Sequence, residues 1–147
     1  MFSAIKKFFT GGQQRRANGK KTILVIDDGE VERKFISRTL QKAGFSVLTA
    51  DDGAPGLALA KDKKPDLVLL DFVMPGMNGD VVCKYLKDDV TTRDIPVIFL
   101  TGSVKPASVI ESFEAGAEYY LAKPISAAAL IHEVEKILAE TGTAPSA

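Results

Sequence analysis

The chain has 147 residues, 46% hydrophobic and 26% charged, which is typical of a globular domain of ordinary size. No apolar run approaches the roughly 20 residues that cross a bilayer, so we expect neither a transmembrane segment nor a secretory signal. The single cysteine, Cys83, excludes an internal disulfide bond and a multi-cysteine zinc site, and we expect it to be a core residue of a cytoplasmic protein.

The net charge of zero is the sum of a basic N-terminal segment and an acidic remainder. Residues 1–21 contain six of the 19 basic residues and no acidic residue, which leaves 13 basic against 19 acidic side chains in residues 22–147. An acidic body argues against nucleic-acid binding by the domain itself. We predict a basic N-terminal extension at 1–21, a domain at 22–140 and a flexible tail at 141–147.

The N-terminal extension leaves three interpretations open. Its segment MFSAIKKFF (1–9) places apolar residues at roughly helical spacing around two lysines. It is a disordered extension, or a short helix that docks on a partner or pairs two copies of the chain, or an anchor on a membrane surface.

Five apolar stretches of strand length recur along the body. They are TILVI (22–26), FSVLTA (45–50), DLVLL (66–70), IPVIFL (95–100) and EYYLA (118–122). The first, third and fourth are nearly continuous apolar runs, which is typical of parallel strands covered by helices on both faces. The second alternates more and fits the edge of a sheet.

Amphipathic stretches separate the strands, and they predict helices over 30–43, 53–62, 79–87, 106–115 and 126–140. Gly44 is placed to end the first helix, and Ser126 is placed to cap the last. The apolar residues that recur at helical spacing are Val31, Phe35, Ile36, Leu40 and Ala43 in the first helix and Leu57, Ala58 and Leu59 in the second.

Strands that alternate with helices imply parallel pairing and right-handed crossovers. We therefore predict an α/β fold, a doubly wound, flavodoxin-like sheet of five parallel strands with five helices. The strand order expected for such a sheet is 2-1-3-4-5.

Polar side chains stand at the ends of four of the predicted strands. Asp27 and Asp28 follow the first, Asp71 the third, Thr101 the fourth and Lys123 the fifth. In an open α/β sheet, ligands bind beyond the carboxyl ends of the strands, so we expect these side chains to converge there.

Three converging carboxylates would repel one another, and a hard dication such as Mg²⁺ or Mn²⁺ resolves that repulsion. A carboxylate can also act as a nucleophile and form an acyl phosphate, with a lysine and a hydroxyl around the phosphoryl oxygens. The loop after Asp71 contains Pro75 and Gly79, whose backbone preferences are expected to hold Asp71 open to a partner.

Four stretches carry a resemblance to a known family: VIDDGEVER (25–33), LLDFVMPGMNG (69–79), PVIFLTG (96–102) and AGAEYYLAKPI (115–125). Over residues 22–140 the chain resembles the receiver domain of bacterial two-component response regulators, of the single-domain, chemotaxis-regulator-like kind. The resemblance implies that Asp71 is the phosphoacceptor.

The resemblance also assigns roles to the residues around Asp71. Asp27, Asp28, Asp71 and the backbone carbonyl of Val73 would hold the metal ion. Thr101 and Lys123 would bind the phosphoryl group, Thr101 and Tyr120 would form a switch, and the Lys123–Pro124 peptide would be cis. The full set of residues implied in this way is Asp27, Asp28, Asp71, Val73, Thr101, Tyr120, Lys123 and Pro124.

The function implied is that of a single-domain response regulator, phosphorylated by a histidine kinase or phosphotransfer protein. It would catalyse its own phosphorylation and dephosphorylation rather than turn over external substrates. A downstream protein would bind the face of the fourth helix, fifth strand and fifth helix, and homodimerisation is an open alternative.

Three other functions compete with that interpretation. The first is a phosphate-independent, receiver-like binding module. A haloacid-dehalogenase-like phosphatase would need a second acid where Val73 stands. A flavodoxin-like nucleotide binder would need a glycine-rich phosphate loop after the first strand, and the sequence has none there.

Overall fold

A computed structural model of the chain describes residues 19–102, 110 and 113–141. Most of the predicted extension at 1–21 and of the tail at 141–147 lies outside these residues. The elements follow the predicted alternation: β1 (Thr22–Ile26), α1 (Glu30–Lys42), β2 (Ser46–Ala50), α2 (Gly53–Lys63), β3 (Leu67–Asp71), α3 (Gly79–Asp88), β4 (Val97–Thr101), β5 (Tyr119–Ala122) and α4 (Ala127–Glu140).

The five strands form one parallel sheet in the order β2-β1-β3-β4-β5, which confirms the predicted topology and the edge position of β2. The register pairs Asp71 with Leu100 and Thr101 with Ala122. The carboxyl ends of β3, β4 and β5 therefore meet at one edge of the sheet.

Two hydrophobic cores flank the sheet. On one face Leu24, Ile26 and Leu70 pack with α2 and α3, and on the other Ile23 and Val25 pack with α1 and α4. All residues of β1, β3 and β4 are buried, as continuous apolar runs predict. Cys83 lies in the first core, and burial raises the pKa of its thiol to about 12, so it behaves as a core residue.

Helix ends follow their predicted signals. Gly44 has a φ of +100° just after α1, and the Ser126 hydroxyl accepts a hydrogen bond from the Ala129 N–H at 3.1 Å. The predicted helix over 106–115 lies mostly outside the described residues. Of those described, Ile110, Phe113 and Glu114 are in helical conformation.

The predicted apolar sides of two helices were partly wrong. In α1, only Ile36 and Leu40 are buried, whereas Val31 is 85% exposed and Phe35 is 44% exposed. Val31 and Phe35 instead line an open groove together with Ala127 and Ile131 of α4. In α2, the buried residues are Gly53, Gly56 and Ala60, while Leu57 and Leu59 are only partly buried and Ala58 is exposed.

No described helix is both long enough and apolar enough to cross a membrane.

Candidate functional site

Three carboxylates meet at the carboxyl edge of the sheet. Asp27 and Asp28 follow β1, and Asp71 is the last residue of β3. One oxygen from each lies within 4.8 Å of the others. Asp27 and Asp71 are buried and Asp28 is exposed, so the cluster opens to solvent on the side of Asp28.

The turn from β1 into α1 fixes Asp27. The Asp27 N–H donates to the Ala50 carbonyl at 3.1 Å, which extends the pairing with β2 by one residue. The Asp27 Oδ1 accepts a hydrogen bond from the Gly29 N–H at 2.8 Å, and its carbonyl accepts one from Arg33 Nη1 at 2.8 Å. Its other oxygen, Oδ2, is left to face the site.

Lys123 reaches the cluster from the end of β5. Its N–H donates to the Thr101 carbonyl at 2.8 Å, which continues the pairing of β4 with β5. Its ammonium Nζ lies 3.2 Å from Asp71 Oδ1 and 3.5 Å from Asp27 Oδ2. The Lys123–Pro124 peptide bond is cis, as the resemblance implied.

A tight loop follows Asp71 at the end of β3. The Gly79 N–H donates to the Phe72 carbonyl at 2.8 Å, which returns the chain to the end of β3. A Cβ at position 79 would collide with the Asp71 carbonyl, so a larger residue would displace the phosphoacceptor candidate. The Asn78 side chain accepts a hydrogen bond from the Met74 N–H at 3.3 Å and braces the loop.

The predicted loop residues Val73 and Pro75 are both exposed. Gly76, directly after Pro75, has a φ of +80°, a conformation that glycine adopts without strain. Asp71 itself is only 6% exposed, so the expectation that this loop holds its side chain open was not confirmed.

Burial dominates the electrostatics of the site. It raises the pKa of Asp71 to about 7, although the charge of Lys123 acts in the opposite direction. Burial likewise raises the pKa of Asp27, against the Gly29 hydrogen bond and Lys123. Burial lowers the pKa of Lys123, but its hydrogen bond with Glu32 and the charges of Asp71 and Asp27 outweigh that effect, so the net shift is upward.

These residues fit a hard dication. The buried Asp27 Oδ2 has no hydrogen-bond partner, an arrangement that leaves one oxygen free for a metal ligand. The donors are all oxygens, and no histidine or cysteine belongs to the described cluster, which favours Mg²⁺ over zinc. Receiver domains generally bind Mg²⁺ through such acidic residues.

Thr101 lies on β4 and Tyr120 on β5. Thr101 is buried as the last residue of β4, one strand away from Asp71. Tyr120 is half-buried and packs edge-on against Phe113, with ring centroids 6.5 Å apart and an angle of 90°. Tyr119 points to the other face of the sheet, where its hydroxyl donates to Glu140 Oε1 at 3.0 Å.

One residue of the site was missed from the sequence. Glu32, in the first turn of α1, accepts a hydrogen bond from Lys123 Nζ at 2.8 Å. The helical spacing rule could not have found it, because Asp28 precedes α1, which begins at Glu30. The site therefore contains a fourth carboxylate.

Comparisons with known proteins agree with this geometry. The sequence profile of the family described as "Response regulator receiver domain" matches residues 23–135. The chain is 38% identical to Protein PilH of Pseudomonas aeruginosa over 117 residues, which cover 80% of this chain and 97% of PilH.

Two further similarities concern a longer relative and a solved structure. The chain is 38% identical to the phosphate regulon transcriptional regulatory protein PhoB of Pseudomonas aeruginosa over 126 residues, 86% of this chain but 55% of PhoB. It therefore spans about half the length of that relative. The chemotaxis protein CheY4 of Vibrio cholerae superposes with a TM-score of 0.78 at 30% identity, covering 80% of this chain and 98% of that one.

Proposed function

The chain belongs to the receiver-domain family of response regulators, whose members are phosphorylated on an aspartate, and on that premise we propose that Asp71 is the phosphoacceptor. The observation that carries the proposal is the position of Asp71: it ends β3 among two further carboxylates and within 3.2 Å of Lys123 Nζ. Asp27 shares the burial and the potential metal site, but Lys123 Nζ donates a hydrogen bond to Asp71 and only approaches Asp27 to 3.5 Å.

The reaction proposed is transfer of a phosphoryl group to the Asp71 carboxylate. A carboxylate oxygen attacks phosphorus, the bond from phosphorus to the donor breaks, and its electron pair leaves with the donor group. The donor proposed is a phosphohistidine of a histidine kinase or phosphotransfer protein, as receiver-domain membership suggests. The only histidine of this chain, His132, is an exposed residue within α4 and does not belong to the carboxylate cluster.

The metal site is proposed to comprise Asp27, Asp28, Asp71 and the Val73 carbonyl. Bound there, Mg²⁺ or Mn²⁺ would neutralise charge on the phosphoryl oxygens. The ammonium of Lys123 would pair with one phosphoryl oxygen, and the Thr101 hydroxyl would donate a hydrogen bond to another. Loss of the phosphoryl group to water would regenerate the Asp71 carboxylate, so the protein would catalyse both steps on itself only.

The output proposed is a change in protein binding. Movement of Thr101 toward the phosphoryl group would open space beside β5 for Tyr120, which now packs against Phe113. That rearrangement would alter the face formed by the helix expected at 106–115, β5 and α4, where a downstream protein or a second copy would bind. We extend the proposal to a cytoplasmic regulator whose receiver unit comprises residues 22–140.

Intact mass spectrometry tests the proposal. We expect acetyl phosphate with Mg²⁺ to add one phosphoryl group to the parent protein and to Asp62→Asn, a charge-matched control at an exposed position. Asp71→Asn should gain none, and chelation of Mg²⁺ should prevent the adduct in every variant. A parent protein that stays unmodified would favour the phosphate-independent binding module instead.

A further inference from the structure

The ammonium of Lys123 is shared unequally among three carboxylates. Its Nζ lies 2.8 Å from Glu32 Oε1, 3.2 Å from Asp71 Oδ1 and 3.5 Å from Asp27 Oδ2. Hydrogen bonds form with Glu32 and Asp71. The shortest contact of Lys123 is therefore with Glu32, a residue outside the set that meets at the metal site.

The environments of the two acceptors differ. The Glu32 side chain is 38% exposed and the Asp71 side chain 8% exposed. A carboxylate in contact with water regains hydration when its partner leaves, so releasing Lys123 costs little at Glu32. A buried carboxylate has no such compensation. The contact of Lys123 with Glu32 can therefore be broken and remade at little cost, whereas its contact with Asp71 is costly to break.

We propose that Glu32 is a positioning residue that competes with the phosphoryl group for Lys123 and thereby weakens retention of that group. This inference rests on the function proposed above. A phosphorylated aspartate presents more negative charge and more acceptor oxygens than the free carboxylate. To bind it fully, Lys123 must give up its contact with Glu32, or else Glu32 stays beside a second anion and repels it.

Removing the Glu32 charge has opposite consequences for the two ligands of the site. A phosphoryl group is an anion, so it gains from a free Lys123 and from the loss of a neighbouring carboxylate. Mg²⁺ is a cation, so it loses one attracting charge and meets a less neutralised Lys123. A variant that only damaged the fold would weaken both ligands, and the opposed signs distinguish the two cases.

Binding of beryllofluoride, a phosphoryl mimic, tests the inference at saturating Mg²⁺ and pH 8 by fluorine NMR. We expect Glu32→Gln to bind the mimic about five- to tenfold more tightly than the parent. We also expect it to lose a phosphoryl group added by acetyl phosphate more slowly by a similar factor. With Mg²⁺ alone, its affinity for the metal should be lower than that of the parent.

The matched control is Glu30→Gln. Glu30 lies in the same first turn of α1, and its substitution by glutamine removes the same charge. Its Oε2 pairs with Lys34 Nζ at 2.9 Å on the surface and not with Lys123. Glu32→Ala, with the best helix-forming residue, removes the same contact and should shift in the same direction as Glu32→Gln. Circular dichroism on the same samples checks that each variant is folded.

The outcomes separate the inference from the proposed function. If the mimic binds the parent with no dependence on Asp71, the proposed function fails. If it binds the parent normally but Glu32→Gln behaves as Glu30→Gln does, Glu32 has no part in retention. If Glu32→Gln is folded and binds the mimic more weakly, Glu32 orients Lys123 productively, and the competition proposed here is wrong.

Discussion

At the scale of the residue, the candidate site places carboxyl groups where burial disfavours their ionised form. Asp71 ends an apolar strand, and burial there outweighs the favourable charge of Lys123. The same holds for Asp27, whose Oδ2 is buried without a hydrogen bond. Both carboxyl groups therefore cost stability when ionised, and a bound dication would offset that cost.

Asp71→Asn should stabilise the protein in the absence of divalent cations. The Asp71 pKa rises from 3.8 in the unfolded reference to about 7 in the folded protein. Between pH 3.8 and about 7, the Asp71 carboxyl binds more protons in the folded state than in the unfolded state. The free energy of unfolding therefore falls as the pH rises through this range. We expect the variant to be more stable than the parent by about 1–3 kcal/mol at pH 8, with a smaller difference at pH 4.

Urea unfolding in a chelator, followed by circular dichroism, measures this difference. Asp62→Asn, which removes an exposed acid, should track the parent at both pH values. A destabilised Asp71→Asn at pH 8 would mean that the pairing with Lys123 outweighs burial, contrary to the raised pKa.

At the scale of the element, close packing of α2 depends on small residues. A Cβ on Gly56 would lie 2.6 Å from Ile26 Cδ1, and one on Gly53 would lie 2.8 Å from Val82 Cγ2. The absent side chains let α2 approach β1 and α3. The leucines of α2 therefore did not predict its buried side: Gly53, Gly56 and Ala60 are buried there, whereas both leucines pack against the core only in part.

Gly56→Ala should destabilise the protein although alanine favours helices. The clash with Ile26 is expected to cost about 1–3 kcal/mol, against a gain of about 1 kcal/mol from helix propensity. Ile26→Val removes the nearest clashing atom, so the double variant should lose less than the sum of the two single losses. Thermal and urea unfolding of the four proteins give the coupling energy; additive losses would show that Ile26 does not resist the new methyl group.

The sequence predicted the sheet and much of the site for one physical reason. Continuous apolar runs identify strands buried on both faces, and the ends of parallel strands share an edge, so Asp27, Asp71, Thr101 and Lys123 had to be neighbours. The place of Glu32 in the site was not predicted, because Glu32 lies on a helix. The direction of a helical side chain depends on how the helix follows its strand, which the sequence pattern does not specify. The exposure of Val31 was missed for the same reason.

At the scale of the whole molecule, charge is distributed so that a cation should stabilise the fold. Glu32 adds a fourth acid to the carboxylate cluster, and Lys123 is the cation that pairs with it among the described residues. The domain that surrounds this cluster is itself acidic in sequence. A ligand that binds only the folded state stabilises it by mass action, so Mg²⁺ at this site should raise the stability of the entire domain.

We therefore expect MgCl₂ to raise the unfolding temperature of the parent by about 5–10 °C at a hundredfold excess over its dissociation constant. Sodium chloride at equal ionic strength should raise it less, because screening of like charges lacks the coordinate bonds. Asp28→Asn should lose most of the magnesium effect, whereas Asp62→Asn should retain it. If both salts raised the unfolding temperature equally, or if Asp28→Asn kept the full magnesium effect, Mg²⁺ would act by general screening of the acidic residues. The metal-dependent chemistry proposed at Asp71 would then have no specific binding site.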